Sequence, residues 1–451
     1  MASRIDGFVA HVAGFRPIEV FDIRGRGWRV GTFGRPGGTD MTLHIGIAAP
    51  VASADVAHLL DDPASPLPRG YAGAPLLGTL IGELLRRGHR VSAFTLSSDL
   101  PLDPQATVVA RGPGFELHCC PMRPRAWPFN GRRPGRIVDL YAFERQCLER
   151  AISQAQPDLV HAHWSYEFAW AALRSGLPHV VTCHDSPFVI ARFQRDFRHG
   201  AYRWLRAGMA WHVLRHARHV TTVSPYMVGQ VQPLCRARVS VVPNPIPEQA
   251  FARPHVAQPG RQRVLMVANG WDVRKNGQAA LRAFALLATR LPGVELRVFG
   301  HDHGECQTAQ NWWRHSGLSG NVSFVGAVPH EQLLREFADA DVFMHAALEE
   351  SFGAVLAEAM AAGVPVVAGA ASGAVPWVVG EAGRLVDITR PEAIAQALHT
   401  LLSDAADSQQ LGRIGRERVR SQFSAEAVAT AYEREYEIAL AGGVRPMGVA
   451  A

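Results

Sequence analysis

The run Leu43-His-Ile-Gly-Ile-Ala-Ala49 is apolar on nearly all of its positions, which is the pattern of a β-strand buried in a parallel sheet. A helical pattern follows from Pro75 to Arg87, and Gly88 stands where a helix C-cap is expected. A second strand then reads Arg90-Val-Ser-Ala-Phe-Thr-Leu96. Strand, helix and strand in this order form one βαβ unit, which predicts an α/β fold with a doubly wound parallel sheet.

The same alternation continues on both sides of a proline-dense stretch, Pro243-Asn-Pro-Ile-Pro247. Because proline lacks a backbone N–H, this stretch can continue neither a sheet nor a helix. We therefore expect one α/β domain over residues 41–245 and a second over 246–424. A last helix, about 425–440, is expected to pack back on the first domain, and residues 1–40 are expected to be an N-terminal extension. The predicted strands are 43–49, 90–96, 159–163, 179–183, 220–224 and 239–242, then 263–268, 294–299, 322–325, 342–345 and 364–367.

The composition and the absence of certain motifs exclude several classes of protein. The chain is 47% apolar and 19% charged, and it has no uninterrupted run of about 18 apolar residues that would predict a transmembrane helix. The first 40 residues lack a secretory-signal pattern, and none of the six cysteines is spaced as Cys-x-x-Cys, so a cytoplasmic protein with reduced thiols is expected. Neither a nicotinamide-binding Gly-x-Gly-x-x-Gly before the first helix nor a P-loop is present.

The basic residues are almost all of one type. Of the 46, 45 are arginine and one, Lys275, is lysine. An ammonium is a compact point charge with three rotatable donors, whereas a guanidinium is a planar fork. A general drift toward arginine explains the bias, but the single retained lysine indicates a local chemical role. A lysine retained by accident is the alternative interpretation.

The densest set of polar residues is Ala346-Ala-Leu-Glu-Glu-Ser-Phe-Gly-Ala-Val-Leu-Ala-Glu-Ala-Met360, which follows a predicted strand. Ligands in such sheets bind beyond the carboxyl ends of the strands. We expect Glu350 in the loop and Ser351 as the N-cap of a helix that begins near Gly353, whose free N–H groups suit a diphosphate. Glu358 lies among apolar residues of that helix, where a carboxylate needs partners. An ordinary ion pair or a solvated helix face is the alternative for Glu358.

The segment from Glu350 to Met360 resembles the E-x7-E motif of the retaining glycosyltransferases of family 4, which have the GT-B fold. The resemblance extends from about Leu43 to residue 440. It implies two Rossmann-like domains with parallel sheets that face each other across a cleft, with a nucleotide sugar held by the second domain. By this match Glu358 would bind the donor's ribose hydroxyls and Glu350 would contact the donor sugar. The backbone of three further residues would hold sugar and phosphate: Phe352, Gly353 and Ala354.

A second segment, Val267-Ala-Asn-Gly-Trp-Asp-Val-Arg-Lys-Asn-Gly277, resembles the phosphate-binding loop of the same family. Lys275 matches the lysine of that loop, which would neutralise the leaving nucleoside diphosphate. The family usually has an arginine five residues before this lysine, and here that position is Gly270. Arg274 is the residue that would substitute for this second phosphate contact.

Three positions of the first domain also fit the family pattern, and a fourth is a candidate by its place at a strand end. His184, followed by Asp185 at a strand end, would touch the donor sugar near the reacting centre. Gly70 and Gly73 match the glycine-bearing loop that lines the cleft between donor and acceptor. His163, in the sequence His161-Ala-His-Trp164, is expected on the acceptor side or in a structural role.

Two histidine-containing segments are weaker candidates for metal binding. His161 and His163 are two residues apart with no third ligand nearby, which is weak evidence for a zinc site. The run His301-Asp-His-Gly-Glu-Cys306 has five possible ligands in six residues, but such a loop is commonly just polar surface. We expect no metal and no cofactor other than the donor substrate.

The segment 192–218 is basic and carries several aromatic residues. Such a helix can lie on an anionic membrane or attract a lipid-linked acceptor, and it can also be a solvated face above core aromatics. Peripheral association with the inner face of the membrane is therefore one expectation. Nucleic acid is not expected as a partner.

These patterns together predict a retaining, metal-independent transfer of a hexose from a nucleoside diphosphate sugar to a hydroxyl of a glycan or lipid-linked glycan. Two alternatives stay open. One is a sugar-nucleotide epimerase of the same fold. The other is a non-catalytic binding subunit, which Gly270 favours slightly and which the retention of Lys275, Glu350 and Glu358 opposes.

Overall fold

The computed structural model describes residues 19–21, 27–29, 42–192, 197–256, 260 and 262–443. The chain divides into two compact units, residues 1–42 and residues 43–451. Within the described part of the first unit, β1 (Glu19–Phe21) pairs antiparallel with β2 (Gly27–Arg29). All further elements belong to the second unit.

The first large sheet has eight strands, and its central strands are buried on both faces. Its strands are β3 (His44–Ala48), β4 (Arg90–Ser97), β5 (Val108–Gly112), β6 (Phe115–Pro121), β7 (Leu159–His163), β8 (His179–Cys183), β9 (Val220–Thr222) and β10 (Val239–Val241). Their order in space is β10-β9-β8-β7-β3-β4-β6-β5. Every residue of β7 and β8 is buried, as expected for strands covered by helices on both faces.

The second sheet has six strands, all parallel to their neighbours. They are β11 (Arg263–Val267), β12 (Glu295–Phe299), β13 (Asn321–Gly326), β14 (Val342–Met344), β15 (Val366–Gly369) and β16 (Gly383–Val386). Their order is β13-β12-β11-β14-β15-β16. The chain changes direction between β12 and β14 on either side of β11, so a crevice forms at the carboxyl ends of β11 and β14.

Helices cover both sheets. Beside the first sheet they are α1 (Ser53–Val56), α2 (Leu76–Arg86), α3 (Ala142–Ala155), α4 (Glu167–Arg174), α5 (Pro187–Arg192), α6 (Phe197–His216) and α7 (Pro225–Val231). Those that follow are α8 (Gly277–Arg290), α9 (Thr308–His315), α10 (His330–Ala338), α11 (Ala354–Ala361), α12 (Val375–Val379), α13 (Pro391–Ser403), α14 (Ala405–Gln422) and α15 (Ala425–Gly443). This is the two-domain α/β architecture that the sequence predicts.

The last helix, α15, returns to the first sheet. Its Tyr432 and Tyr436 are fully buried there with Val428, and the Tyr436 hydroxyl lies 2.8 Å from Nδ1 of His161 on β7. On the surface of the same junction, Arg87 after α2 forms an ion pair of 2.7 Å with Glu433. The helix therefore completes the core of the first domain.

Three details differ from the sequence expectations. The sequence patterns assign no helix or strand to residues 97–158, a segment that contains β5, β6 and α3. Because β5 is antiparallel to β6, the first sheet is not entirely parallel. Most of the helical pattern 192–217 is α6, a separate helix α5 ends at Arg192, and residues 193–196 lie outside the described residues. The strand expected at 364–367 runs from Val366 to Gly369.

Candidate active site

The carboxyl ends of both sheets meet at the same cleft. The Ser224 hydroxyl, after β9 of the first sheet, donates a 2.6 Å hydrogen bond to the carbonyl of Ser351, in the loop after β14 of the second sheet. The loops that follow β3, β7 and β8 therefore face the loops that follow β11 and β14. Most residues that the sequence singled out lie on these loops.

Lys275 and Glu350 form the polar centre of the second-domain side. The ammonium of Lys275 donates a 2.6 Å hydrogen bond to Oε1 of Glu350, and both side chains are mostly buried. His345, at the end of β14, places its Nε2 3.5 Å from the same oxygen. The sequence placed Lys275 and Glu350 in one site from separate segments 75 residues apart, and the structure brings them into contact.

The environment of Glu350 keeps its carboxylate ionised. Burial alone would raise the pKa of this carboxyl, but the hydrogen bond with His345 and the positive charge of Lys275 hold the pKa well below its usual range. A second carboxyl, that of Glu349, has a pKa raised by burial and by the charge of Glu350. Glu349 and Glu350 are neighbours in the chain, yet the pKa of the first is raised and the pKa of the second is lowered.

The segment between Glu350 and α11 is shaped for close backbone approach. Gly353 caps α11 with a φ of 87°, a left-handed conformation that favours glycine, and no side chain caps the helix. The expectation that Ser351 is the N-cap is therefore wrong, and the first N–H groups of α11, beginning at Ala354, are left without a side-chain cap. Phe352 is buried against Phe423, with ring centroids 5.3 Å apart, which fixes the backbone just before Gly353.

Glu358 lies inside α11 and is almost fully buried. His330, the first residue of α10, donates a 2.7 Å hydrogen bond from Nε2 to its Oε1. This hydrogen bond raises the pKa of His330, and burial opposes the rise. The ion-pair alternative that the sequence left open for Glu358 is thus present in the structure, and it occupies one of the two carboxylate oxygens. Sequence reasoning missed His330 because it belongs to a different helix.

The loop after β11 is built around a short 3-10 turn from Val273 to Lys275. The side chain of Asp272 caps this turn by accepting a 3.0 Å hydrogen bond from the Lys275 N–H. Gly270 has a φ of 89°, so an arginine at this position would be held in a strained left-handed conformation. The loop in its present conformation therefore favours glycine at this position over the family's arginine.

Arg274 links the two loops of the second domain. Its carbonyl accepts a 2.7 Å hydrogen bond from the N–H of Leu348, two residues before Glu350. The charge of Arg274 also lowers the pKa of Glu349, against the stronger effect of burial. Its guanidinium therefore acts on the loop where the second phosphate contact is expected.

His163 and His184 form a buried pair at the first-domain side. Nδ1 of His163 lies 2.8 Å from Nε2 of His184, and the rings are stacked with centroids 5.1 Å apart. Burial lowers the pKa of His184 to about 3 and that of His163 well below its usual value, so both rings are neutral and one ring donates an N–H hydrogen bond to the other. Among the described residues, Nε2 of His163 has no hydrogen-bond partner, and the side chain of Asn244 lies close enough to His184 to oppose the lowering of its pKa.

His161 is held by structural contacts. Its Nδ1 contacts the hydroxyl of Tyr436 and its Nε2 contacts the hydroxyl of Thr182, each at 2.8 Å. His303 likewise directs Nδ1 to the carbonyl of His301 at 2.8 Å. In the described part of the chain, no group of three or more His, Cys, Asp or Glu side chains is arranged to hold a metal ion.

Gly70 and Gly73 lie in the long loop between β3 and α2. Gly70 has a φ of 70°, and a Cβ there would lie 2.4 Å from the carbonyl oxygen of Val51, so no larger residue fits without moving the backbone. Gly73 has a φ of 122° and open space around it. The charge of Asp55, in the same loop region, adds to the raised pKa of His330, which lies in the second domain. This loop therefore lies opposite the Glu358 side of the cleft.

The basic segment 192–218 is only partly directed to solvent. Arg206 of α6 points inward, where it forms an ion pair with buried Glu167 and stacks 3.8 Å from the ring centre of Tyr166. Trp204 and Trp211 of the same helix are about half exposed. Within the described residues, no helix is long and apolar enough to cross a membrane.

Comparison with known proteins gives matches along most of the chain. The family profile described as Glycosyltransferase Family 4 matches residues 76–250, and the profile described as Glycosyl transferases group 1 matches residues 248–418. A D-inositol 3-phosphate glycosyltransferase of Segniliparus rotundus is 28% identical over 382 residues, which cover 80% of this chain and 83% of that protein. A glycogen synthase of Mycobacterium tuberculosis is 28% identical over 310 residues, 64% of this chain and 71% of that protein.

Solved structures show a similar fold. Sucrose-phosphate synthase from Thermosynechococcus elongatus aligns with a TM-score of 0.68 over 89% of this chain and 100% of that chain, at 22% sequence identity. At this level of identity the likeness is one of fold.

Proposed function

The chain belongs to the group 1 glycosyltransferases of family 4, with the GT-B fold, and we propose that it moves a hexose from a nucleoside diphosphate sugar to a hydroxyl of a glycan or lipid-linked glycan with retention of configuration. The observation that carries the proposal is the contact between Lys275 and Glu350 beside the uncapped N-terminus of α11. A positive side chain and free backbone N–H groups converge there, and a diphosphate needs both.

The second domain would hold the donor. Glu358 would accept hydrogen bonds from the ribose hydroxyls, through the oxygen that His330 leaves open or by displacing His330. The backbone of Phe352, Gly353 and Ala354 would approach the sugar and phosphates. Lys275 and Arg274 would face the two phosphates, with Gly270 allowing the loop to turn.

In the transfer step, the bond between the sugar C1 and the diphosphate oxygen breaks, and a new bond forms between C1 and the acceptor oxygen. The proton of the acceptor hydroxyl passes to the departing diphosphate oxygen. Negative charge therefore grows on the diphosphate in the transition state, where the Lys275 ammonium and the α11 N-terminus stabilise it more than in the ground state. This stabilisation supports a reaction that requires no metal ion.

The state of the carboxylates bears on how retention, which the family resemblance implies, would be achieved. Glu350 is ionised, but its Oε1 is already bound to Lys275 and faces His345. A carboxylate engaged in this way is poorly suited to form a covalent bond with C1. A front-face reaction, in which the acceptor enters on the side that the diphosphate leaves, fits these contacts better. His184 would touch the donor sugar near C1, with the Asn244 side chain beside its ring.

We further propose that the enzyme works in the cytoplasm and associates with the inner face of the membrane. Trp204, Trp211 and Arg215 lie along one side of α6 because they are seven and four residues apart. Partly exposed indoles beside a cation suit the headgroup region. Co-sedimentation with vesicles containing anionic lipid should fall when both tryptophans are replaced by alanine, and equal sedimentation of the two proteins would contradict the proposal.

Thermal-shift binding tests the donor site. UDP-, GDP- and ADP-sugars at about 100 times their dissociation constant should stabilise the wild type by about 2.7 kcal/mol when the base is correct. Glu358→Ala should lose this stabilisation because the ribose contact is removed. Glu336→Ala is the matched control, since Glu336 is also a helix glutamate in the second domain and pairs with Arg297 instead. A wild type that binds none of the donors would favour a non-catalytic subunit.

A further inference from the structure

Asp185 directly follows His184, at the carboxyl end of β8, and the transfer described above gives it no role. The Tyr166 hydroxyl donates a 3.0 Å hydrogen bond to its Oδ1. The residue is partly exposed, in contrast to the fully buried strand that precedes it. No described residue hydrogen-bonds to Oδ2 of Asp185, so one carboxylate oxygen is held and the other is open.

The tyrosine that holds Asp185 is itself rigidly supported. Tyr166 is only 4% exposed, and the guanidinium of Arg206 stacks 3.8 Å from its ring centre. Arg206 is fixed in turn by its ion pair with Glu167, which is 2% exposed. The orientation of the Asp185 carboxylate is therefore set by a buried chain of contacts and not by solvent.

The supporting cation does not neutralise Asp185 by direct contact. The guanidinium of Arg206 forms its ion pair with Glu167 and not with Asp185. An internal carboxylate with a purely structural role normally has both oxygens satisfied. Among the residues that the structure describes, Asp185 instead has one oriented acceptor oxygen at the cleft to which no group donates.

The position of Asp185 also relates it to the donor side. Burial and the charge of Glu350 raise the pKa of Glu349, and the negative charge of Asp185 adds to this effect across the cleft. Asp185 therefore lies opposite the loop that carries Glu350. In the proposed transfer, the acceptor enters this cleft beside the donor sugar.

We propose that Asp185 anchors the acceptor substrate, with Oδ2 accepting a hydrogen bond from an acceptor hydroxyl next to the one that reacts. This inference rests on the proposed transfer function and names a residue that selects polyhydroxylated acceptors. Asp185 takes no proton from the attacking hydroxyl, which passes its proton to the departing diphosphate. Tyr166 is a positioning residue for Asp185.

The test uses Asp185→Asn, which keeps the shape but turns a charged acceptor into a neutral amide. Tyr166→Phe removes only the hydroxyl that orients the carboxylate. Asp341→Asn is the matched control: Asp341 is also a half-buried aspartate whose pKa is raised by burial, and its Oδ2 accepts a 2.7 Å hydrogen bond from the Arg263 N–H. It precedes β14 and so lies at the amino ends of the strands, on the opposite side of the sheet from the cleft at their carboxyl ends.

Release of nucleoside diphosphate is measured from the donor found by thermal shift, with and without an acceptor probe. The probes are D-inositol 3-phosphate, soluble glycogen and octyl α-glucoside. In Asp185→Asn we expect the kcat/KM for the acceptor to fall at least 20-fold, mainly through a higher acceptor KM, with donor affinity and hydrolysis by water within twofold of wild type. Tyr166→Phe should lose about fivefold, and Asp341→Asn should match the wild type.

The possible results separate the two proposals. Unchanged acceptor kinetics in Asp185→Asn overturn the anchor, and so does an equal loss of hydrolysis and transfer, because that loss would place Asp185 on the donor. A wild type that hydrolyses a donor but uses none of the probes overturns the anchor and leaves donor turnover standing. A wild type that releases no diphosphate from any donor overturns the proposed function and the anchor with it.

Discussion

Replacing Lys275 with methionine removes the only lysine of the chain while keeping an unbranched side chain of similar length. Its ammonium lies 2.6 Å from Glu350 and is mostly shielded from solvent. A unit charge about 4 Å from a phosphate oxygen contributes about 4 kcal/mol at an effective dielectric constant near 20. Because Glu350 shares the ammonium, we expect about 2.7 kcal/mol of this to act on the leaving group, which is about 100-fold in rate.

The assay is the kcat of nucleoside diphosphate release at saturating donor. Lys275→Met should lower kcat about 100-fold, at the order of magnitude set by the charge argument. Lys275→Arg keeps the charge but replaces a point donor with a wider planar fork, so a loss of about tenfold is expected. A kcat for Lys275→Met within a factor of five of the wild type would refute the assignment of Lys275 to the leaving group.

Loss of stability has to be distinguished from loss of catalysis. Lys275→Met leaves the Glu350 carboxylate without its cation, and a buried charge that loses its partner destabilises a protein by about 3–5 kcal/mol, an upper bound here because both side chains are partly exposed. The double variant Lys275→Met/Glu350→Gln removes the unpaired charge as well. It should unfold closer to the wild type than Lys275→Met does, yet remain inactive. Recovery of activity in the double variant would contradict the role of Lys275.

Two further predictions concern the surroundings of the same site. The hydrogen bond to Glu358 raises the pKa of His330. The stability that this pair contributes is therefore fully present below the unfolded pKa of histidine, about 6.5, and is lost as the pH rises through the higher folded pKa. In urea unfolding, the free energy of unfolding of His330→Gln should decline less from pH 6 to pH 8 than that of the wild type, and parallel declines would contradict this. Gly373→Ala would place a Cβ 2.5 Å from the Glu350 carbonyl oxygen and should lower both the melting temperature and activity, whereas Gly131→Ala, with a nearly equal φ and open space, tests the effect of φ alone.

The fold was predictable because its signals are local. Buried strands such as Leu159–His163 appear as apolar runs, and the helices between them carry the helical period. The edge of the first sheet was missed because β5 (Val108–Gly112) is short and exposed or partly exposed along its whole length, so it gives no buried-strand pattern. Gly353 was passed over as an N-cap because serine is the commoner cap, while the turn before α11 requires a left-handed residue.

The candidate site was predictable only where residues act through a motif. Lys275 and Glu350 were placed together because each lies in a recognisable segment, and their contact follows from the parallel sheet. His330 and Tyr166 have no motif, and their partners lie on other elements at distances set by tertiary packing. For such residues, the contact partner cannot be predicted from the sequence because it depends on how distant elements pack.

The return of α15 to the first sheet has a consequence for the order in which the protein can fold during synthesis. Val428, Tyr432 and Tyr436 complete the apolar core that contains Ile45 and Leu77. A ribosome makes these residues hundreds of positions after the strands that they cover, and only after the whole second domain has been produced. The apolar surface of the first domain that α15 covers therefore stays exposed until synthesis of the chain is nearly complete. A fragment ending near residue 245 would keep that face exposed and should depend on chaperones or aggregate.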